Sequence, residues 1–187
     1  MALGMGATTA MFSLVDGALL RPLQYTDPQH LYLGREVLGD GSDPIAANGP
    51  VNARHFHEWR ANCKSCASVA MVDGIGFTLN GERESQRVSG LRVSSNFFAT
   101  LGIQPALGRD FLPEEELPGK HRVLLLSDSL WRTRYSADPG VLGRSIRVDG
   151  EEFTIIGVTP ASLSLPRGGQ WGPLFPHEAQ PALFRPL

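Results

Sequence analysis

Four side chains between residues 55 and 66 are of the types that bind metal ions. His55 and His57 are separated by one residue, and Cys63 and Cys66 follow as a CxxC pair. Imidazole nitrogens and thiolate sulfurs are the ligands of tetrahedral zinc sites. The chemistry that these residues offer is therefore zinc binding, and a small zinc-dependent protein is one hypothesis for the chain.

The element that must position the two histidines argues against this hypothesis. Residues 51–62, VNARHFHEWRAN, place Phe56 and Trp59 on one face, which predicts a short helix. Side chains two residues apart on a helix point about 200° apart, and zinc sites of this type take their ligands from two separated pairs. We therefore expect no metal site. Cys63 and Cys66 either form a disulfide, which an oxidising compartment favours, or stay free thiols.

Other catalytic patterns are missing from the sequence. It contains no GxSxG, no HExxH, no P-loop and no paired glycine fingerprint after a strand. Asp128 and Asp138 stand where an Asp carboxylate accepts hydrogen bonds from a helix start or a turn. We expect no catalytic residue, no cofactor and no bound metal, so the chain is not predicted to be an enzyme.

The bulk composition is that of one folded unit. The chain has 187 residues, 42% of them hydrophobic and 19% charged, with a net charge of -2 and 21 Gly and 14 Pro scattered along it. These values exclude a disordered chain, and charges of alternating sign without a basic block give no indication of nucleic-acid binding. Frequent turn residues favour short strands and helices over a helical bundle.

The first twenty residues form an apolar run. Asp16 is the only charge before Arg21 and Pro22 close the run. A full membrane span needs about 20 predominantly apolar residues, and this run is rich in Gly, Ala and Thr. It predicts the outer half of a transmembrane helix, with a buried core helix as the alternative. The basic region that opens a signal peptide is missing.

The rest of the pattern predicts an α+β fold, a mixed sheet with short helices and β-hairpins. Residues 31–38 have the content of a strand, Asn80-Gly81 and Asp149-Gly150 mark two hairpin turns, and RVLLLS at 122–127 reads as a strand covered on both faces. Residues 114–119 look like an acidic surface stretch.

Two further helices are predicted between these strands. Ser94 or Ser95 is placed to cap the first, which Gly102 ends, and Ser127 or Asp128 is placed to cap the second. The second helix contains Leu130, Trp131 and Tyr135, and Leu101 is on the buried side of the first. The predicted core anchors are Trp59, Phe97, Phe98 and Trp131, with a hydrophobic ligand groove as the alternative role for them.

Three ordered stretches resemble one known family. They are AMFSLVDGALLRPLQYTDPQHL at 10–31, RVSGLRVSSNFFATLGIQPALGRDFLPEE at 87–115, and RVLLLSDSLWRTRYSADPGVLGRSIRVDGEEFTIIGVTP at 122–160. Their wording, order and spacing are similar to the MacB-like periplasmic core domain of bacterial ABC-transporter permeases, in particular the duplicated permeases of acidobacterial type.

The resemblance implies a domain organisation and a set of partners. Residues 1–21 would end a transmembrane helix, 22–166 would form the core domain, and 167–187 would be an irregular, truncated tail. The domain would lie on the periplasmic side of the cell inner membrane and relay motion driven by a cytoplasmic ABC ATPase, for export or an envelope function. A homodimer or a second permease half is the further partner that it implies.

Two features depart from the family pattern. The chain lacks the longer first helix with basic residues on its cytoplasmic side, and the tail LFPHEAQPALFRPL differs from the family and stops. These departures lead us to expect a gene fragment or a truncated reading frame. The alternative from another class is a soluble secreted binding module whose apolar N-terminus is a core helix and whose hairpins carry a ligand surface.

Overall fold

The computed structural model describes residues 25–37, 51–80, 85–165 and 180–187. Within these ranges the α-helices are α1 (Ala53–Asn62), α2 (Phe97–Leu101) and α3 (Asp128–Tyr135). The strands are β1 (Val72–Asn80), β2 (Ser85–Val93), β3 (Leu107–Gly108), β4 (Val123–Leu126), β5 (Ser145–Val148), β6 (Glu151–Val158) and β7 (Leu183–Pro186). Short 3-10 turns occupy Pro28–His30, Pro113–Glu116 and Pro139–Val141.

The strands form one sheet that closes on itself. Their order is β3-β6-β4-β7-β2-β1-β5, and β5 also pairs with β6, so six strands make a barrel-like ring with β3 attached to β6. The β2–β7 and β4–β6 pairs are parallel, and the other pairs are antiparallel. The predicted mixed sheet with short helices is confirmed.

The strand pairs of both predicted hairpins are present, although Asn80 is a strand residue of the first and its turn, residues 81–84, lies outside the described residues. β1 and β2 pair along their full length, from Val72 opposite Val93 to Asn80 opposite Ser85. β5 and β6 are joined by Asp149 and Gly150, whose φ angles of 50° and 85° are both positive. A two-residue turn of this kind matches the twist of the strands that it joins, and Asx-Gly pairs are common in it.

The last strand corrects one prediction. Residues 167–187 were expected to be irregular, yet Leu183–Pro186 is a strand between β2 and β4, parallel to the first and antiparallel to the second. Leu183 and Phe184 are fully buried. A short strand covered on both faces lacks the alternation of polar and apolar residues that reveals a half-exposed strand. The tail is therefore part of the core at its C-terminal end.

The closed sheet has an apolar core on each of its faces. Leu124 and Leu126 of β4 belong to one cluster, together with Phe77, Phe153 and Leu183. Leu125, between them, belongs to the other cluster, together with Phe97, Phe98, Phe184, Leu163 and Leu165. Successive side chains of a strand point to opposite faces, so β4 is covered on both sides as its apolar run predicts.

The N-terminal predictions have a mixed outcome. The strand expected at 31–38 is wrong for residues 31–37, where Glu36 alone makes a bridge and Tyr32 is 87% exposed. The predicted membrane helix at 1–21, including Asp16, lies outside the described residues. Within the described ranges no helix is both long and apolar enough to cross a bilayer.

One predicted helix cap is confirmed and one is wrong. The Ser127 hydroxyl accepts a hydrogen bond from the Leu130 amide at the start of α3, as expected. The first residue before α2 is instead Asn96, which makes no side-chain cap. Ser94 accepts from the Met71 amide and donates to Asn96, so its hydroxyl links the start of α2 to the residue before β1.

The other polar and aromatic predictions are also resolved. Asp138 accepts from the Gly140 amide, which confirms it as a turn residue. Phe97 and Phe98 are core residues, and Trp131 packs against the core inside the closed sheet. Trp59 is 39% exposed, so its assignment to the core is wrong.

Candidate functional site

Residues 25–37, which we call the connector, are the first described segment of the chain. Its first two residues are bonded to distant parts of the chain. The Tyr25 hydroxyl donates to the Ser164 carbonyl at 2.9 Å. Thr26 donates from its amide to the Leu101 carbonyl at 3.3 Å and from its hydroxyl to the Gly102 carbonyl at 3.2 Å. The start of the connector is therefore fixed to the end of α2 and to the segment after β6.

Burial of Tyr25 supports the same conclusion. Its phenol is largely removed from water, and this desolvation raises the pKa of Tyr25 to about 12. Ionisation is disfavoured there because a phenolate needs solvation that the packed connector does not supply. The aromatic ring is thus part of the folded domain.

Gly102 lets the connector approach α2. It ends the helix with a φ of 69°, in the left-handed region, as the sequence predicts. A Cβ at this position would lie 1.8 Å from the Thr26 Oγ1 and 2.5 Å from its Cβ. Glycine is therefore required twice, once by the backbone angle and once by the contact with Thr26.

A second contact joins the far end of the connector to α1. One carboxylate oxygen of Glu36 accepts from the Asn52 amide at 2.9 Å and lies 2.6 Å from the Nδ1 of His55. The backbone hydrogen bond and then the His55 contact hold the pKa of Glu36 below its usual value. The same Asn52 caps α1 through its side chain, which accepts from the Arg54 amide.

Glu116 ties α1 to α2. Its Oε1 accepts from the Ser95 amide at 2.6 Å and from the Ser95 hydroxyl at 2.7 Å, and its Oε2 lies 3.1 Å from Arg60. Burial alone would raise the pKa of Glu116, but the hydrogen bonds from Ser95 and Arg60 outweigh it and lower that pKa. The carboxylate is thus held in its charged form at a junction of two helices.

Like Glu116, Glu115 has a carboxylate that is bonded to a cationic side chain and to a backbone amide. Its carboxylate takes two hydrogen bonds from the Arg109 guanidinium, at 2.6 and 3.0 Å, and one from the Leu112 amide at 2.8 Å. Burial opposes these bonds, yet the net effect lowers the pKa of Glu115. The prediction of an acidic surface stretch at 114–119 is wrong for Glu115 and Glu116, because each has cationic and amide partners that permit burial.

We expect Glu116→Gln to lower the free energy of unfolding at pH 7 by about 1–2 kcal/mol, since it removes charge-assisted hydrogen bonds. Because the folded-state pKa of Glu116 lies below its ordinary 4.5, its contribution is present above that pH and lost as pH falls through the folded value. The difference between variant and parent should therefore shrink between about pH 5 and pH 3. Urea unfolding over this range measures it.

Glu114→Gln is the matched control, because Glu114 is exposed and lies in the same 3-10 turn. The pKa of Asp110 is raised, mainly by burial, so Asp110 changes the free energy of unfolding with pH in the opposite direction to Glu116. Asp110 is present in both variants. A Glu116→Gln deficit that stays constant down to pH 3 would contradict the assignment.

The two cysteines are joined to each other. Cys63 and Cys66 form a disulfide, with their Cα atoms 5.4 Å apart, directly after α1. His57 contacts the Phe56 ring, and His55 contacts Glu36, so the structure does not bring the four side chains together. Among the described residues no group of three His, Cys, Asp or Glu forms a metal site. With both sulfurs joined in the disulfide, neither is available as a thiolate ligand for zinc.

We predict that Cys63→Ser combined with Cys66→Ser lowers the free energy of unfolding by about 2 kcal/mol, because the disulfide closes a loop of only four residues. Chemical denaturation with and without a reductant measures this. Reductant should shift the parent's midpoint to that of the double variant and leave the double variant unchanged. A parent midpoint that ignores the reductant would show that the bond does not constrain the chain.

A groove lies between the connector, α1 and α2. It has a volume of about 1900 Å³, and its lining includes Tyr25, Tyr32, Trp59, Cys66 and Leu101. The lining is mainly apolar, and the described residues that form it include no nucleophile paired with a base. We call the contacts among the connector, α1 and α2, which Tyr25, Thr26, Glu36 and Glu116 make, the joint.

The comparisons with known proteins agree with this geometry. The extracellular domain of the noncanonic ABC-type transporter YknZ from Gram-positive bacteria aligns with a TM-score of 0.58 and 15% identity, over 81% of this chain and 70% of that one. This similarity shows a shared fold. No curated protein matches the chain.

Two further solved structures are more distant. The periplasmic region of MacB from Actinobacillus actinomycetemcomitans gives a TM-score of 0.49 at 17% identity, over 70% of this chain and 54% of that one. A domain of a putative permease protein from Porphyromonas gingivalis gives 0.39 at 19%, over 63% and 45%. None of the comparisons supports the narrower acidobacterial type.

The family description "MacB-like periplasmic core domain" matches residues 1–180 of the chain. That range includes the connector, both helices of the joint and six of the seven strands. The chain therefore belongs to the MacB-like periplasmic core domain family, and it is a non-catalytic periplasmic domain of an ABC-transporter permease.

Proposed function

We propose that this domain relays motion of the permease's membrane helices outward, as a rigid body attached through the connector. The observation that carries the proposal is the bonding of Tyr25 and Thr26 to Ser164, Leu101 and Gly102. A displacement of the segment before Tyr25 would reach α2 and the closed sheet without passing through a free linker. Rigid-body displacement of this kind is a common form of switching transition.

The interior of the domain suits this role. The closed sheet leaves few free edges, and an apolar core on each face resists deformation because protein interiors are close-packed. Glu116 and Glu36 add polar links between α1 and its two neighbours, α2 and the connector. Movement would therefore be transmitted by the domain as a unit.

The proposal includes partners and a place in the cell. The driving force would come from a cytoplasmic ABC ATPase acting through the parent permease, for export or an envelope function. Residues 1–21 would end the first membrane helix, with the core domain on the periplasmic side of the inner membrane. A homodimer or a second permease half would complete the assembly. Family membership and the apolar sequence before Arg21 support these points.

The test is a fusion of alkaline phosphatase to the C-terminus of the chain in a bacterium, because this enzyme is active only outside the cytoplasm. We expect active fusion protein that sediments with membranes. The matched control begins at Tyr25 and lacks the apolar run, and it should be inactive and soluble. Active but soluble full-length fusion would instead support the secreted binding module, and inactive fusion would contradict the anchor.

A further inference from the structure

Several exposed apolar side chains lie on the connector and on α1. The described residues include seven large hydrophobic side chains that are exposed: Tyr32, Leu33, Val37, Trp59, Leu112, Leu117 and Leu142. The first four lie on the connector and α1, and Tyr32, at 87%, is the most exposed of them all. Together these four residues form what we call the apolar patch. Grouping of this kind marks a surface that contacts something less polar than water.

The apolar patch is held together by the fold. The connector passes so close to α1 that a Cβ on Gly34 would lie 3.4 Å from the Trp59 ring. Glu36, which is adjacent to Val37, is bonded to the Asn52 amide and to His55. The side chains of the patch thus belong to two segments that are fixed to each other.

The position of the patch along the chain indicates what it contacts. Only residues 22–24 separate Arg21, which closes the apolar run, from Tyr25. Even a fully extended chain spans at most about 14 Å between these two residues. Tyr25 is bonded to the domain, so the connector would begin within that distance of the membrane surface. This step rests on the proposed membrane anchor.

We propose that the apolar patch lies in the interfacial layer of the membrane's outer leaflet and sets the orientation of the domain there. Tyr and Trp are the residues enriched at membrane interfaces, because each has an apolar ring and a polar atom. Because the anchor already holds the chain at the membrane, the contact between the patch and the lipid is intramolecular. A weakly apolar surface is then enough for the patch to bind the lipid. A second copy of the chain would lack this advantage.

The test uses the full chain in phosphatidylcholine vesicles that contain a lipid brominated close to its headgroup. Trp131→Phe with Trp171→Phe leaves Trp59 as the one tryptophan in the sequence. We expect a roughly twofold loss of its fluorescence in brominated relative to plain vesicles, as for an indole at the interface. Trp59→Phe with Trp171→Phe is the matched control, since Trp131 packs against the closed-sheet core and should be unquenched.

Two further variants keep the test decisive. Compared with a chain that carries only Trp171→Phe, the matched control should lose the quenched fraction, and this comparison needs no change at Trp131. Tyr32→Ser with Leu33→Ser should reduce the quenching, whereas Leu112→Ser with Leu117→Ser, an exposed apolar pair outside the patch, should not.

The outcomes separate the inference from the proposed function. A chain that does not float with the vesicles would overturn the membrane anchor, and the inference with it. A chain that floats with Trp59 unquenched would overturn the inference alone. Crosslinking of such a chain to a second copy through the patch would identify a protein contact in place of the lipid.

Discussion

Phe184→Ala should lower the free energy of unfolding by about 3–5 kcal/mol, the range for truncating a fully buried phenylalanine. Phe184 is fully buried in β7, and its ring meets the Phe98 ring edge-on with centroids 5.1 Å apart. The loss combines the transfer free energy of the ring with a cavity between the sheet and α2. Because domains of this size are stable by only about 5–15 kcal/mol, this loss is a large fraction of the total stability. Urea unfolding followed by circular dichroism measures the effect.

The size of the effect tests whether the C-terminal residues belong to the core. Phe184→Leu keeps most of the volume and should cost less than about 1.5 kcal/mol. Leu117→Ala is a control for truncation at an exposed site and should be nearly neutral. A Phe184→Ala midpoint equal to that of the parent would mean that β7 does not complete the sheet in solution.

Gly102→Ala should detach the connector. The new Cβ would meet the Thr26 hydroxyl at 1.8 Å, so one of the two segments must move. The left-handed backbone adds about 1–2 kcal/mol of strain. Once Tyr25 leaves its packed position, its pKa should fall from about 12 toward the ordinary 10. Ultraviolet titration should therefore show one additional ionised tyrosine at pH 11, with Tyr25→Phe identifying the residue.

Gly119→Ala separates strain from contact. Gly119 has a φ of 85°, but a Cβ there would meet nothing within 4 Å. The Gly119→Ala variant should lose only the free energy of unfolding that the strain of a left-handed backbone accounts for. The titration of Tyr25 should stay unchanged. Thr26→Gly in the Gly102→Ala background removes both clashing side-chain atoms and should recover part of the lost stability. Equal effects of Gly102→Ala and Gly119→Ala would contradict the contact between connector and helix.

Elements defined by neighbouring residues could be predicted from the sequence. The Asp149-Gly150 turn, the Ser127 cap and the Gly102 helix end each depend on a few adjacent residues, and all three are confirmed. β7 could not be predicted in this way, because Leu183–Pro186 is a strand only by virtue of β2 and β4 on either side. The opposite error at residues 31–37 has a related cause, since strand-like content becomes a strand only beside a partner, and Glu36 is the one residue of this described segment that makes a bridge.

The joint was largely hidden from sequence reasoning. Tyr25 and Ser164 are 139 residues apart, and Glu36 and His55 are 19 apart, so no local spacing signals their contacts. The sequence made His55 a candidate metal ligand, whereas in the structure His55 contacts the Glu36 carboxylate. Glu115 and Glu116 looked solvated because a run of acids is usually exposed, and only the positions of Arg109, Ser95 and Arg60 show otherwise.

Amide hydrogen exchange at Thr26 tests the central claim most directly, because that amide donates across the joint to the Leu101 carbonyl. The Ile103 amide, which donates to the Phe98 carbonyl at the end of α2, is the internal reference. If the connector moves with the domain, the two amides exchange with similar protection in two-dimensional NMR spectra. If Thr26 exchanges at the rate of an unstructured peptide while Ile103 stays protected, the connector is a free linker and the rigid relay is contradicted.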